Sequence, residues 1–361
     1  MKELIMALGP VQMEKDILDL GAVQVPYPRT PEFSSWYAGL NEDLQYLFQT
    51  QRPVFTVACS GTGAMQMAAD NLCASGDTAL TFATGTFGKR WGNILRAAGV
   101  TVVETPMPSG TNVTPEILAP LLQQHPEAKT VFLTYNETST TALADVKGCA
   151  ALLRGTDKLL VVDAVSALLA EPLCMDNWGV DVVVSSSQKA LALPPGLGFI
   201  AFSERAWERV SARPCRSFYF DARPFLQDWG RGQLPFTSSL AIILQLKERL
   251  ARIRKEGLSA LQARHKTITT RLREGLRAQG FSFLSSHMGN CTTAVYVPDD
   301  IDATEFVEKM RLEKAVVLVP PYKGTNVFRI GNFGDISSDD VDLCLERIAE
   351  VLQELRGRGR D

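Results

Sequence analysis

One lysine has surroundings that could make its amine reactive. In Ser185-Ser-Ser-Gln-Lys189-Ala-Leu-Ala-Leu-Pro194-Pro-Gly196 it stands just beyond an apolar run and just before a Pro-Pro-Gly turn. In open parallel sheets ligands bind at the carboxyl ends of strands. A lysine held there out of water has a lowered pKa and becomes a usable nucleophile. Taken alone, such a lysine is more commonly a surface residue on a loop, so its context must decide. Upstream, Leu160-Val-Val-Asp163 ends another apolar run in a carboxylate, which is costly to bury unless it meets a cation. A protonated pyridine nitrogen is such a cation; a helix-capping aspartate is the plainer alternative.

Three further clusters are weak singly. Ala58-Cys59-Ser60-Gly61-Thr62-Gly63-Ala64 is a small-residue turn opening a helix, the kind of backbone that holds a phosphate. It is neither a dinucleotide fingerprint, since Gln66 stands where the last glycine belongs, nor a P-loop, which needs an absent Gly-Lys. Thr134-Tyr-Asn136-Glu137-Thr138-Ser139-Thr140-Thr141 offers hydroxyls and an amide after a strand, or simply a turn into the next helix. Phe328-Arg329-Ile330-Gly331-Asn332-Phe333-Gly334-Asp335 places an arginine where it could clamp a carboxylate, or form a structural ion pair. Together the five describe a phosphate turn, a hydroxyl cluster, a ring-nitrogen acid, a Schiff-base lysine and a carboxylate arginine. Those are the parts of pyridoxal phosphate chemistry.

The elements that must position them are legible as alternation. Strands are expected at 78–82, 100–104, 130–134, 159–163, 181–185 and 198–202, and helices at 62–74, 87–98, 115–124 and 144–154. Continuous apolar strands between helices imply a mainly parallel sheet covered on both faces. Long helices follow at about 239–255 and 258–279, the second with charges (Arg264, Lys266, Arg271, Arg273, Glu274) that suit one solvated face. Strands at 292–297, 315–319 and 327–330 with helices at 303–312 and 338–355 make a smaller α+β lobe.

Composition narrows the classes. Net charge is −3, from 37 basic and 40 acidic residues, which gives no footprint for nucleic acid or an anionic membrane. The basic end, Arg356-Gly-Arg358-Gly-Arg360, reads as a solvated, frayed tail. No run is long and apolar enough to cross a bilayer, and no targeting or lipid signal is present. Seven cysteines without a C-x-x-C pair suit a reducing, cytoplasmic setting, as small buried hydrophobes. Three histidines without metal-ligand spacing leave no bound metal expected.

The segments Asp163-Ala-Val-Ser166, Trp178-Gly-Val-Asp181, Ser187-Gln-Lys189-Ala-Leu191 and Pro194-Pro-Gly-Leu-Gly198 resemble the signature of class V aminotransferases of fold type I. The likeness is to the alanine–glyoxylate, serine–pyruvate and 2-aminoethylphosphonate–pyruvate branch, and runs from Leu8-Gly-Pro-Val11 to Arg329-Ile-Gly331. It implies an α/β large domain with a seven-stranded, mainly parallel sheet and a smaller C-terminal α+β domain. The division expected is an arm at 1–20, a large domain at 21–240 and a small domain at 241–361.

The resemblance also implies pyridoxal 5'-phosphate as cofactor, and small amino acids with 2-oxo acids as substrates. Lys189 would form the Schiff base and shuttle the proton, Asp163 would pair with the ring nitrogen, and Val165 and Phe87 would pack on its two faces. Thr62, Gly63, Ala64 and Gln188 would hold the phosphate, and Thr138 would lie by the phenolic oxygen. Thr237 would reach the phosphate of a neighbouring subunit, which implies a homodimer, while Arg329 and Gly9 would meet the substrate. Relatives read His-x-Glu-Thr-Ser-Thr-Gly where this chain has Tyr135 and Thr141, often carry an aromatic at Leu234, and often have a His before Arg29. These departures are expected around the substrate and phosphate. A lyase or cysteine desulfurase on the same fold is the alternative; desulfurases stack a His where Phe87 stands and need a loop cysteine, whereas Cys291 begins a strand.

Overall fold

A long amphipathic helix precedes the first buried strand. The computed structural model describes residues 2–358. After β1 (Leu4–Ile5) and the short α1 (Lys15–Leu20), α2 runs Pro31–Phe48, where sequence patterning marks no helix. Pro31 takes the first helical turn, where its missing N–H costs nothing, and the Thr30 side chain accepts the Phe33 amide. Phe33, Tyr37, Leu40, Leu44 and Leu47 then form the buried stripe.

Strands and helices alternate from there: β2 (Val54–Val57), α3 (Gly61–Leu72), β3 (Thr78–Ala83), α4 (Thr86–Ala97), β4 (Thr101–Pro106), α5 (Pro115–Gln124) and β5 (Thr130–Thr134). The series continues with α6 (Val146–Leu153), β6 (Leu159–Asp163), α7 (Met175–Trp178), β7 (Val182–Ser186) and β8 (Gly198–Phe202). Seven strands form one sheet in the order β2-β8-β7-β6-β5-β3-β4. Only β8 runs against its neighbours β7 and β2; the other pairs are parallel. Every residue of β2, β5, β6, β7 and β8 is buried, as helices on both faces require. Within β6, Leu160 and Val162 enter one core cluster while Leu159 and Val161 enter the other, the two-residue period of a strand. This is the α/β class expected.

The remainder folds as α8 (Glu204–Ser211), α9 (Ala222–Trp229), α10 (Leu240–Glu256) and α11 (Leu258–Ala278), then β9 (Ser282–Phe283), β10 (Thr292–Tyr296) and α12 (Ala303–Lys314). β11 (Val316–Val317), β12 (Val327–Gly331) and α13 (Ser338–Arg358) end the described chain. β12, β10 and β9 make an antiparallel sheet, and β11 pairs in parallel with β1, which brings Leu4 and Met6 into a third core cluster. The strand expected over 315–319 is thus only two residues long.

Two expectations are corrected. Along α11 the buried stripe is Leu261, His265, Ile268, Leu272 and Leu276, but Arg273 is not simply solvated. It is half-buried and donates to the carbonyls of Gly289 and Thr292 and to Thr293 Oγ1. The basic tail is helical as far as Arg358, and Arg356 pairs with Asp300 at 2.7 Å; residues 359–361 lie outside the described residues. All seven cysteines are free, four of them buried. No described helix is long and apolar enough to cross a membrane.

Candidate active site

The carboxyl ends of parallel strands collect the polar residues. Register sets Thr134 beside Asp163 and Asp163 beside Val184, so the chain leaves β5, β6 and β7 along one edge. There a cavity of about 260 Å³ is lined by Gly9, Ser60, Gly61, Thr62, Met65, Phe87, Arg90, Asn136, Thr138, Asp163, Val165, Ser166, Gln188 and Lys189.

Lys189 lies one short turn past β7, held by Ser187. The Ser187 hydroxyl donates to the Pro194 carbonyl at 2.7 Å and accepts the Leu197 amide at 3.3 Å, so Pro-Pro-Gly folds back onto the strand end. Lys189 is 7% exposed, and burial pushes its amine down to about 8, against the opposing pull of Cys291 and Asp163. Nζ donates to the Leu8 carbonyl and lies 5.7 Å from the Phe333 ring centre. Gly9 passes so close that a Cβ there would sit 2.9 Å from both the Gln188 carbonyl and Lys189 Cδ. Its φ of +117° independently favours glycine.

Asp163 ends β6. Burial pushes its carboxyl up to about 7, although it accepts the Val165 amide at 2.9 Å. An amine brought closer to its neutral form and a carboxyl brought closer to its protonated form than either is in water therefore face one cavity. A cationic ring nitrogen would restore the charge of Asp163, and an aldehyde would find Lys189 already inclined to give up its proton. Gln188 Oε1 is buried with no partner, which leaves an acceptor at the lysine. These residues fit pyridoxal phosphate.

Of the three turn residues expected at the phosphate, Thr62 lines the cavity and Gly63 and Ala64 do not. Ser60 caps α3 by accepting the Gly63 amide on its side chain, and its carbonyl accepts the Ala64 amide. Those two amides are therefore occupied, Ala64 is buried in the core, and Ser60, Gly61 and Thr62 line the cavity instead. A Cβ on Gly61 would meet Val165 at 3.0 Å, so glycine admits the close approach. Thr138 Oγ1 and Ser166 Oγ share a hydrogen bond at 2.6 Å at the far wall.

Arg329 does not line the cavity. Its guanidinium donates to the Tyr322 hydroxyl and the Pro320 carbonyl, each at 2.8 Å, and stacks 4.1 Å from the Tyr322 ring centre. The Tyr322 hydroxyl also lies 3.4 Å from Thr86 Oγ1 at the start of α4, so this loop bridges to the site. Thr237 is exposed beside a small cleft with Tyr219 and Phe236, away from the cavity.

Two departures from the family pattern fall elsewhere than expected. Tyr135 packs edge-on to Trp178 and donates to the Pro172 carbonyl, so it belongs to the core. Thr141 has φ of +62°, which explains the glycine of relatives, and its hydroxyl accepts the Ala294 amide at 3.1 Å. Sequence reasoning passed over Arg90, which lies on α4 three residues from Phe87, the helical spacing that sets both on one face. It also passed over the role of Glu137. This carboxylate accepts the Phe87 amide at 3.1 Å and the Gly88 amide at 2.9 Å, fixing the start of α4.

Comparison with known proteins agrees with this geometry. The family model for aminotransferase class-V matches residues 27–309. A protein named soluble hydrogenase, small subunit, from Synechococcus sp. (strain PCC 6716) is 31% identical over 98% of this chain and 94% of its own. The serine–glyoxylate aminotransferase of Arabidopsis thaliana is 30% identical over 96% of this chain and 89% of its own. The crystal structure of an alanine–glyoxylate aminotransferase from Nostoc sp. superimposes with a TM-score of 0.91 at 28% identity, over 98% of this chain and 96% of that one.

Proposed function

Because this chain belongs to the class-V aminotransferase family, and so is a pyridoxal-phosphate enzyme that transfers amino groups, we propose that it takes the amino group from a small amino acid of the alanine or serine type. The acceptor is a 2-oxo acid of the glyoxylate or pyruvate type, as the names of the Arabidopsis and Nostoc relatives suggest. The observation that carries this reading is geometric: Lys189 and Asp163, both buried, line one cavity at the carboxyl ends of parallel strands.

When bound, the cofactor supplies an electron sink for a carbanion at the substrate's Cα. Lys189 would bond its aldehyde and then carry the proton from Cα. Asp163 would keep the proton on the ring nitrogen. Val165 and Phe87 would confine the ring, and Thr138 would meet its phenolic oxygen. Ser60, Gly61, Thr62 and Gln188 hold the phosphate together with Thr237 of the partner subunit, which makes the enzyme a homodimer. Arg329 turns from Tyr322 to clamp the substrate carboxylate, with Gly9 leaving room beside it. The division into an arm at 1–20, a large domain at 21–240 and a small one at 241–361 follows the same plan: β1 pairs with β11 of the C-terminal part while Gly9 lies on Lys189. Seven free cysteines favour the cytoplasm.

Sulfur transfer finds little support, since Cys291 is buried and its thiol is pushed far up by desolvation. The test is a visible spectrum of the full-length enzyme with pyridoxal phosphate, before and after L-alanine. A Schiff-base band that alanine bleaches, glyoxylate or pyruvate restores, and Lys189→Ala lacks is the expected result. No band in the wild type overturns the assignment of Lys189; a band that alanine and serine leave untouched overturns the donor class.

A further inference from the structure

Arg90 lines the cavity and makes no ion pair with a carboxylate among the described residues, although its charge is felt across the cavity at Asp163. Of its five N–H donors, those on Nη1 bond Thr62 Oγ1 at 2.7 Å, in the first turn of α3. The plane of the group lies against Phe87, with its carbon 4.6 Å from the ring centre. A cation positioned this way, with donors to spare, is poised for an anion.

The rest of the phosphate turn is neutral, made of the Ser60 and Thr62 hydroxyls and the amides of Gly61 and Thr62. A phosphate monoester carries close to two negative charges at neutral pH. Helix-end amides carry only partial charge and would leave much of that charge unmatched. Lys189 does not serve, because its amine is needed for the aldehyde. Arg329 does not serve either, because its anchors, Tyr322 and Pro320, belong to another loop. Resting on the reading of Lys189 as the cofactor lysine, we infer that Arg90 is the cation of the phosphate cradle, which it completes with Ser60, Gly61 and Thr62. The i, i+3 spacing on α4 then lets one helix turn grip the cofactor twice, by ring through Phe87 and by phosphate through Arg90.

The test titrates full-length, cofactor-depleted enzyme with pyridoxal phosphate and, separately, with pyridoxal, which lacks the phosphate. Arg90→Gln is expected to weaken pyridoxal phosphate about 10- to 100-fold, the size of a charge-assisted hydrogen bond. Pyridoxal affinity and, at saturating cofactor, the KM for L-alanine should not move, and Arg90→Lys should recover part of the loss. Unchanged pyridoxal phosphate affinity overturns the inference. So does a parallel loss for pyridoxal, which would mean that Arg90 acts only through Phe87, or a raised KM, which would make it a substrate residue. If Arg90→Gln does not fold, Arg90→Lys is read alone: weaker pyridoxal phosphate with unchanged pyridoxal supports the assignment, and any other pattern overturns it. Inorganic phosphate separates this from failure of Lys189. It should raise the melting temperature of the wild type more than that of the Arg90 variant even where no Schiff-base band forms, and an equal rise overturns the assignment.

Discussion

Lys189 and Asp163 keep only 7% and 4% of their surface, at the ends of strands whose neighbours are buried throughout. Arg329 instead faces a loop whose Tyr322 is 46% exposed, and its bonds there go to that tyrosine and a carbonyl. The two regions answer different needs. The floor fixes the reacting groups in a dry, close-packed frame, where desolvation is the largest cause moving both pKa values toward neutrality. The rim holds its cation by exchangeable bonds near solvent, so a carboxylate can displace them at little cost. On the function proposed above, chemistry would be set by the floor and choice among substrates by the rim.

The largest effect that would break this contrast is on the floor. Lys189→Ala should lower kcat by at least ~10³-fold, the reach of a general acid–base and covalent group, with an unchanged melting curve. Activity near wild type would remove Lys189 from the reaction. At the rim, Arg329→Leu should lower kcat/KM about 10- to 100-fold, mostly through KM, and Tyr322→Phe by no more than about tenfold. A kcat loss without a KM change would assign Arg329 to the floor.

A third test reads the floor through pH in cofactor-depleted protein. Asp163 has a folded pKa of about 7, raised from 3.8, so its contribution to stability is present below about pH 3.8 and lost as pH rises through 7. Glu171, raised to about 7 from 4.5, acts in the same direction, and His265, lowered to about 3 from 6.5, in the opposite one. The difference between wild type and Asp163→Asn isolates Asp163, with a slope approaching ~1.4 kcal/mol per pH unit inside the window. A flat difference between pH 4 and 7 would mean that Asp163 is ionised in the empty site. The smallest effect lies where floor and rim meet. Thr141→Ala strands the Ala294 amide and should cost about 1–2 kcal/mol in denaturant unfolding, whereas Thr141→Ser keeps the hydroxyl and should stay within about 0.5 kcal/mol. Equal losses would show that the hydroxyl does not join the two regions.

The same division governs what the sequence makes legible. β5, β6 and β8 fall within the bounds that their apolar runs mark, because a strand buried on both faces is written as one unbroken run. Helix α2 escapes such reading although its buried positions recur at helical spacing, since Gly39, Asn41 and a Ser-Ser pair interrupt the pattern. Tyr135 and Thr141 look like site residues by their place in a motif, yet one packs on Trp178 and the other bonds β10.

By itself, the sequence determined six of the sheet's seven strands, all but β2, the lysine beyond one strand and the aspartate ending another, because burial and strand period are local and leave a residue-by-residue trace. Only the tertiary structure decided that Gly9 lies on Lys189, that Glu137 fixes the start of α4, that Arg90 reaches Thr62 and that Tyr322 holds Arg329. Most of these pairings join segments far apart in the chain, and their energies depend on distance and desolvation rather than on neighbours in sequence.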